Sequence, residues 1–131
     1  MNKKILAISV AVLLLITSVL LIACAKIDND PKEQAKALEE KGCTVNLIDS
    51  AAALKEQTEY VESKGIILFD DIQAIIIIKK DDETGYIYYM GSISDAERLM
   101  DGLSFLGDYQ SNMQSSNIVY FGSKAIYDLM K

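Results

Sequence analysis

An α+β fold with a mainly antiparallel sheet is what the sequence predicts for the chain beyond residue 30, on three observations. Helix-capping patterns alternate with short β-prone runs along this whole segment. One run, Ile75-Ile76-Ile77-Ile78, has no polar face and so requires cover on both sides. A charged turn, Asp81-Asp82-Glu83-Thr84-Gly85, leads from that run to Tyr86–Met90, the pattern of a hairpin.

The elements follow in order. Asp30-Pro31-Lys32-Glu33 supplies an acidic N-cap, proline at the first helical position and Glu at the third, so a helix starts there and stops near Lys41-Gly42. Its apolar face is thin, mainly Ala35 and Leu38. Cys43, Val45 and Leu47 alternate with Thr44, Asn46 and Ile48, which predicts a strand. Asp49 and Ser50 are the cap candidates of a second helix, with Leu54, Thr58 and Val61 on one face and an end near Gly65. A β-prone stretch comes next, Ile66 to Phe69, a bend at Asp70-Asp71, then Ile72 to Lys80.

After the hairpin, Ser94-Asp95-Ala96-Glu97 forms a capping box for a helix with Ala96, Leu99, Met100 and Leu103 inward and Gly107 as terminator. Residues 109–117, rich in Gln, Ser and Asn, read as a mobile loop. Ile118 to Phe121 form the last strand, and Gly122-Ser123 caps a final helix with Ile126, Leu129 and Met130 inward.

The central elements thus run β-α-β-β-α-β with one flanking helix at each end, the order of the split βαβ or ferredoxin-like core. The flanking helices are the natural covers of the sheet face that such a core leaves open, which predicts three layers.

Composition divides the chain in two. Its one long apolar segment lies at the start, Ile5 to Ile22, broken only by Ser9, Thr17 and Ser18 and preceded by Lys3 and Lys4. A positive n-region followed by an apolar stretch is the pattern of a signal peptide, an N-terminal apolar helix. Beyond residue 23 the chain carries 11 basic against 19 acidic residues, a formal charge of −8. Such a surface repels phosphate backbones and anionic lipid headgroups, which argues against a nucleic-acid partner. The absence of histidine excludes Ser-His and Cys-His nucleophile systems and any His-containing zinc site within one chain.

The apolar segment ends in Leu21-Ile22-Ala23-Cys24, which resembles the bacterial lipobox: an aliphatic residue, a tolerant position, a small residue, then cysteine. The resemblance implies a diacylglycerol thioether on Cys24 and cleavage after Ala23. Two acyl chains hold a protein stably where one is marginal. Residues 1–23 are then the signal peptide, 24–30 a lipidated polar tether, and 31–131 a single domain. Two other readings stay open. The segment is about as long as the roughly 18 residues of a minimal spanning helix, and Ala23-Cys24-Ala25 also satisfies the small-x-small rule of ordinary signal peptidase.

Each candidate site has an ordinary alternative. Lys79-Lys80-Asp81-Asp82-Glu83 lacks EF-hand spacing and suits a solvated hairpin tip. Asp70-Asp71 would point to opposite faces of an extended chain. Gly122-Ser123-Lys124 lacks the earlier glycine of a phosphate loop, and its Ser and Lys do not share a helix face. Tyr86, Tyr88 and Met90 should share a sheet face with Tyr89 opposite, and Tyr120 and Tyr127 are expected nearby. Tyr86, Tyr88 and Tyr120 are therefore the candidate ligand or partner surface, since tyrosines stack on sugars and peptides, although such residues more often pack under helices. Cys43 reads as a small buried hydrophobe, with an intermolecular disulfide outside the cell as the alternative.

The Gly42-Cys43-Thr44-Val45 strand entry and the Ile118–Ile126 ending I-V-Y-F-G-S-K-A-I are similar to those of small extracytoplasmic lipoprotein domains, a resemblance that implies no activity or site. The expectation is a lipid-anchored extracytoplasmic module on the cell membrane that binds an envelope protein or cell-wall component, with no catalytic residues, no metal and no cofactor beyond the lipid on Cys24. Two alternatives belong to other classes: a carboxylate-dependent envelope hydrolase, needing two of Asp49, Asp95 and Asp101 in one cleft, and a small solute-binding lipoprotein, which its size disfavours because hinge closure usually takes two domains.

Overall fold

The computed structural model describes residues 26–63, 71–104, 110–113 and 116–131. The expected signal peptide with Cys24, the run Ile66 to Phe69, Asp70, and the expected helix ends at Gly65 and Gly107 lie outside them. The described chain runs α1 (Pro31–Glu40), β1 (Thr44–Ile48), α2 (Ala51–Ser63), β2 (Ile72–Lys80), β3 (Glu83–Met90), α3 (Ile93–Leu103), β4 (Gln110–Met113), β5 (Ile118–Gly122) and α4 (Lys124–Asp128). It is an α+β domain whose strands form one sheet of order β1-β2-β3-β5-β4, antiparallel at every pairing.

Local chemistry accounts for most element ends. Asp30 caps α1 by accepting from the Lys32 amide at 3.0 Å, with Pro31 at the start of the helix. Gly42, at φ +86°, takes the left-handed conformation that lets the chain turn into β1. The Ser50 hydroxyl accepts from Ala53 N at 3.3 Å ahead of α2. Ser123 caps α4 through Ile126 N, as its sequence position indicates.

Strand order departs from the split βαβ expectation. A βαβ unit makes the two strands around its helix parallel. Here β1 and β2, which flank α2, are antiparallel neighbours, with Val45 opposite Ile78 and Ile48 opposite Ile75. β3 and β4 flank α3; both pair antiparallel with β5, which lies between them, so these two run parallel to each other. The α2 excursion therefore returns to the sheet end it left, making β1 an edge strand, while α3 crosses from one end of the sheet to the other and keeps a parallel βαβ relation with β5 inserted between its strands.

Three further local differences appear. α3 begins at Ile93, not after Ser94: Ser92 is extended, and its hydroxyl oxygen accepts from Asp95 N at 3.1 Å while the hydroxyl donates to the Asp95 carboxylate at 2.9 Å. The hairpin turn closes at Lys80 opposite Glu83, shorter than expected, with Asp81 at φ +53°. Finally, Gln110–Met113 is not loop but the edge strand β4, with Ser111 opposite Phe121 and Asn112 opposite Tyr120.

The three layers are present. Ala74, Ile76 and Ile78 of β2, Ile87 and Tyr89 of β3, and Ile118 and Tyr120 of β5 bury one sheet face with Ala35 and Leu38 of α1 and Ile126 of α4. Ile75, Tyr88, Met90, Val119 and Phe121 bury the other face under Ala96, Leu99 and Leu103 of α3, with Ala53 and Leu54 of α2 half-buried beside them. Ile76 and Ile78 are fully enclosed because β2 sits between two strands and two helical layers.

The segment ahead of α1 belongs to the domain and is not a free tether over its whole length. The Lys26 amide donates to the Met130 carbonyl at 2.8 Å, Ile27 is buried with α1 and α4, and the Asp28 amide donates to Gln34 Oε1 at 2.7 Å. An apolar residue at position 27 is worth more in the core than in water.

Candidate functional site

The structure does not bring the three candidate tyrosines together. Tyr86 and Tyr88 share the α3 face, where the Tyr86 ring lies 6.3 Å from both Tyr88 and Phe121 in stacked geometry. Tyr88 is buried, and that burial raises its hydroxyl pKa well above the usual tyrosine value, with a smaller push from Tyr86. Tyr120 stands on the opposite face, because it is the register partner of Ile87 and not of Tyr86 or Tyr88. It is 1% exposed, its hydroxyl donates to the Ser123 carbonyl, and its ring lies 5.2 Å from that of Tyr127. Tyr120 thus packs the α4 end of the core instead of offering a surface. Tyr89 faces away from Tyr86 and Tyr88 as expected, and its hydroxyl donates to the Asp28 carbonyl at 2.7 Å.

Open space lies elsewhere, along both flanks of α2. One cleft of about 620 Å³ has Leu54 and Ile72 as its apolar part and Asp49, Lys55, Glu59 and Glu62 as its charged part. The second, about 470 Å³, runs between α2 and β1 and is lined by Leu47, Glu56 and Tyr60 among others. Tyr60 is 60% exposed, an unusual position for a large aromatic side chain on a polar helix.

Of the three acids the hydrolase reading names, Asp49 alone lines the larger cleft, while Asp95 and Asp101 ride on α3. Glu59 and Glu62 accompany Asp49, and all three are exposed. Among the described residues no group of acids and cysteine is arranged to hold a metal ion. Cys43 is a buried free thiol in the α1 and α4 core. Lys79 to Glu83 form the exposed or half-exposed hairpin tip, with the Lys80 ammonium donating to the Lys41 carbonyl at 3.1 Å.

Charge is divided between the two helical layers. α2 and α3 carry six acids against two bases, whereas residues 26–41 and 124–131 carry six lysines against six acids. The negative balance of these helical layers therefore lies on the α2 and α3 side. Among the described residues no helix is long and apolar enough to cross a membrane.

Comparison with family models, with curated proteins and with solved structures finds no match to this chain. Sequence reasoning marked Asp49 but missed Tyr60, Glu59 and Glu62. Their signal was an aromatic residue among polar neighbours, beside two glutamates three residues apart and so on one helix face.

Proposed function

We propose that the chain is an exported lipoprotein, held on the outer side of the cell membrane by a lipid on Cys24, whose domain is a non-catalytic interaction module of the envelope. The observation that carries the anchor is Leu21-Ile22-Ala23-Cys24 at the end of an apolar segment that Lys3 and Lys4 precede. Burial of Cys43 as a small core residue gives the other cysteine its own explanation, so the position of Cys24 needs no disulfide partner. The interaction reading rests on α2, a polar helix with a cleft on each flank and the exposed Tyr60 lining the second of them. Its acidic side chains favour a basic partner.

The anchor is tested by expressing the full chain in a bacterium with labelled fatty acid and measuring the mature N-terminus of wild type and Cys24→Ser by mass. An acylated Cys24 in wild type and loss of label in the variant support it; an N-terminus at Lys26 or a retained Met1 defeats it. The interaction surface is tested by Tyr60→Ala, which should leave thermal unfolding unchanged while weakening recovery of envelope components from cells.

A further inference from the structure

The place where the chain enters the domain, together with the division of charge, fixes which side of the domain can meet a membrane. Lys26 is already held by the hydrogen bond its backbone N–H donates to the Met130 carbonyl, and Ile27 is buried in the core with α1 and α4. Two peptide units separate residue 24 from residue 26, so their Cα atoms stand at most about 7–8 Å apart. A lipid on Cys24 therefore leaves the domain almost no linker. A domain tethered this closely cannot turn freely about its anchor.

We infer that the domain lies with its α1 and α4 side against the membrane surface and its α2 and α3 side turned outward. This rests on the proposed lipid anchor. The entry point lies in the α1 and α4 layer, since Met130 and Ile27 pack in that core. That layer carries six lysines against six acids, all of them exposed, and so is neutral overall. The opposite layer, with six acids against two bases, would be repelled by anionic headgroups. The two helical layers are separated by the sheet, roughly 20 Å from axis to axis. That exceeds two Debye lengths of about 8 Å at physiological salt, so in this pose the acidic helices are screened from the headgroups. The reverse pose would press them against the surface and strain the short connection. One consequence is that both clefts beside α2, and Tyr60, are presented away from the bilayer.

The test uses full-length chain in a Cys43→Ala background, acylated in the bacterium and reconstituted into vesicles of phosphatidylethanolamine and phosphatidylglycerol containing a headgroup-linked quencher. A fluorophore is attached at Glu40→Cys on α1 or at Glu97→Cys on α3, two exposed positions whose replacement changes charge equally. Quenching is expected to be several-fold stronger at position 40. An inserted flexible Gly/Ser segment of about twenty residues after Ala25 should abolish the difference, because its reach of roughly 25 Å lets the domain tumble. Lys36→Cys and Asp101→Cys provide a second pair should either first variant fold poorly. Equal quenching, or stronger quenching at position 97, in a chain whose mass shows acylated Cys24 overturns the orientation and leaves the anchor standing. A chain whose N-terminus carries no lipid overturns the anchor and the orientation with it.

Discussion

The hydroxyl of Tyr89 donates a 2.7 Å hydrogen bond to the backbone carbonyl of Asp28, fastening the segment ahead of α1 to a central strand sixty-one residues away. The same segment is held by Lys26 on Met130 and by Asp28 on Gln34, and Ile27 is buried between these bonds. Tyr89→Phe keeps the ring and removes one donor, so it should cost about 1–2 kcal/mol, the usual penalty for a part-buried carbonyl left without its partner. Hydrogen exchange should show faster opening at the amides of Lys26 and Asp28 with little change in β2. Uniform loss of protection across the sheet would mean that the bond supports the whole fold and not this segment.

The glycines separate backbone need from mere tolerance. Gly122, at φ +139°, is the register partner of Gly85, and a Cβ there would stand 2.6 Å from Gly85 Cα and 2.7 Å from the Thr84 carbonyl oxygen. Neither atom belongs to a side chain that can swing aside. Gly122→Ala should therefore destabilise by about 2–4 kcal/mol through strain and overpacking. Gly102 lies in α3 with nothing within 4 Å of a built Cβ. Gly102→Ala should stabilise by roughly 0.5–1 kcal/mol. Urea unfolding of both variants checks the pair, and equal effects of the two would refute the distinction.

What the sequence made legible was whatever local chemistry decides. β2 shows in four consecutive isoleucines, and α1 in Asp30-Pro31 and Gly42. The start of α3 was ambiguous because Ser92-x-x-Asp95 and Ser94-x-x-Glu97 are overlapping capping patterns. The upstream one holds, beside the bond from Gly91 N to the Asp71 carbonyl. β4 has poor strand propensity and exists through its pairing with β5, which no local pattern announces. Strand order depends on where α2 and α3 return the chain, a nonlocal matter. The same holds for the tyrosines: Tyr120 takes the opposite face from Tyr88 because Val119, not Tyr120, is opposite Tyr88, and register is invisible before pairing. The clefts beside α2 likewise arise from packing between elements.

Alkali should unfold this domain by a route its tyrosines define. Burial is the first cause raising the hydroxyl pKa of Tyr88, Tyr89 and Tyr120 above the ordinary value, with neighbouring acids adding to it at Tyr89 and Tyr120 and a backbone hydrogen bond opposing it at Tyr120. Each group thus holds its proton more tightly folded than unfolded. Their stabilising contribution is intact below the unfolded value near 10 and is lost as pH rises beyond it, because the unfolded chain then binds fewer protons. Urea midpoints should stay level up to about pH 9 and fall steeply above about pH 10. The tyrosinate absorbance of Tyr88, Tyr89 and Tyr120 should appear together with unfolding. A native protein in which all seven tyrosines ionise in a single step without unfolding would contradict this.

Cys43 supplies the last prediction. Its side chain is 7% exposed among Leu38, Ile78 and the α4 residues of the same core, and its amide is bonded to the Leu38 carbonyl at 3.1 Å. A thiol so placed reacts only when the structure opens, so labelling by a maleimide should be slow in native protein and accelerate with urea. If Cys24 carries the proposed thioether, Cys43 is the one remaining thiol of the chain, which makes the stoichiometry readable by mass. Cys43→Ala should cost about 1 kcal/mol for lost packing. Cys43→Ser should cost more, about 1–3 kcal/mol, because a hydroxyl there must be desolvated without an assured partner. Rapid labelling of the folded protein, or a disulfide-linked dimer after air oxidation, would show that the α1 and α4 layer opens far more readily than its packing implies.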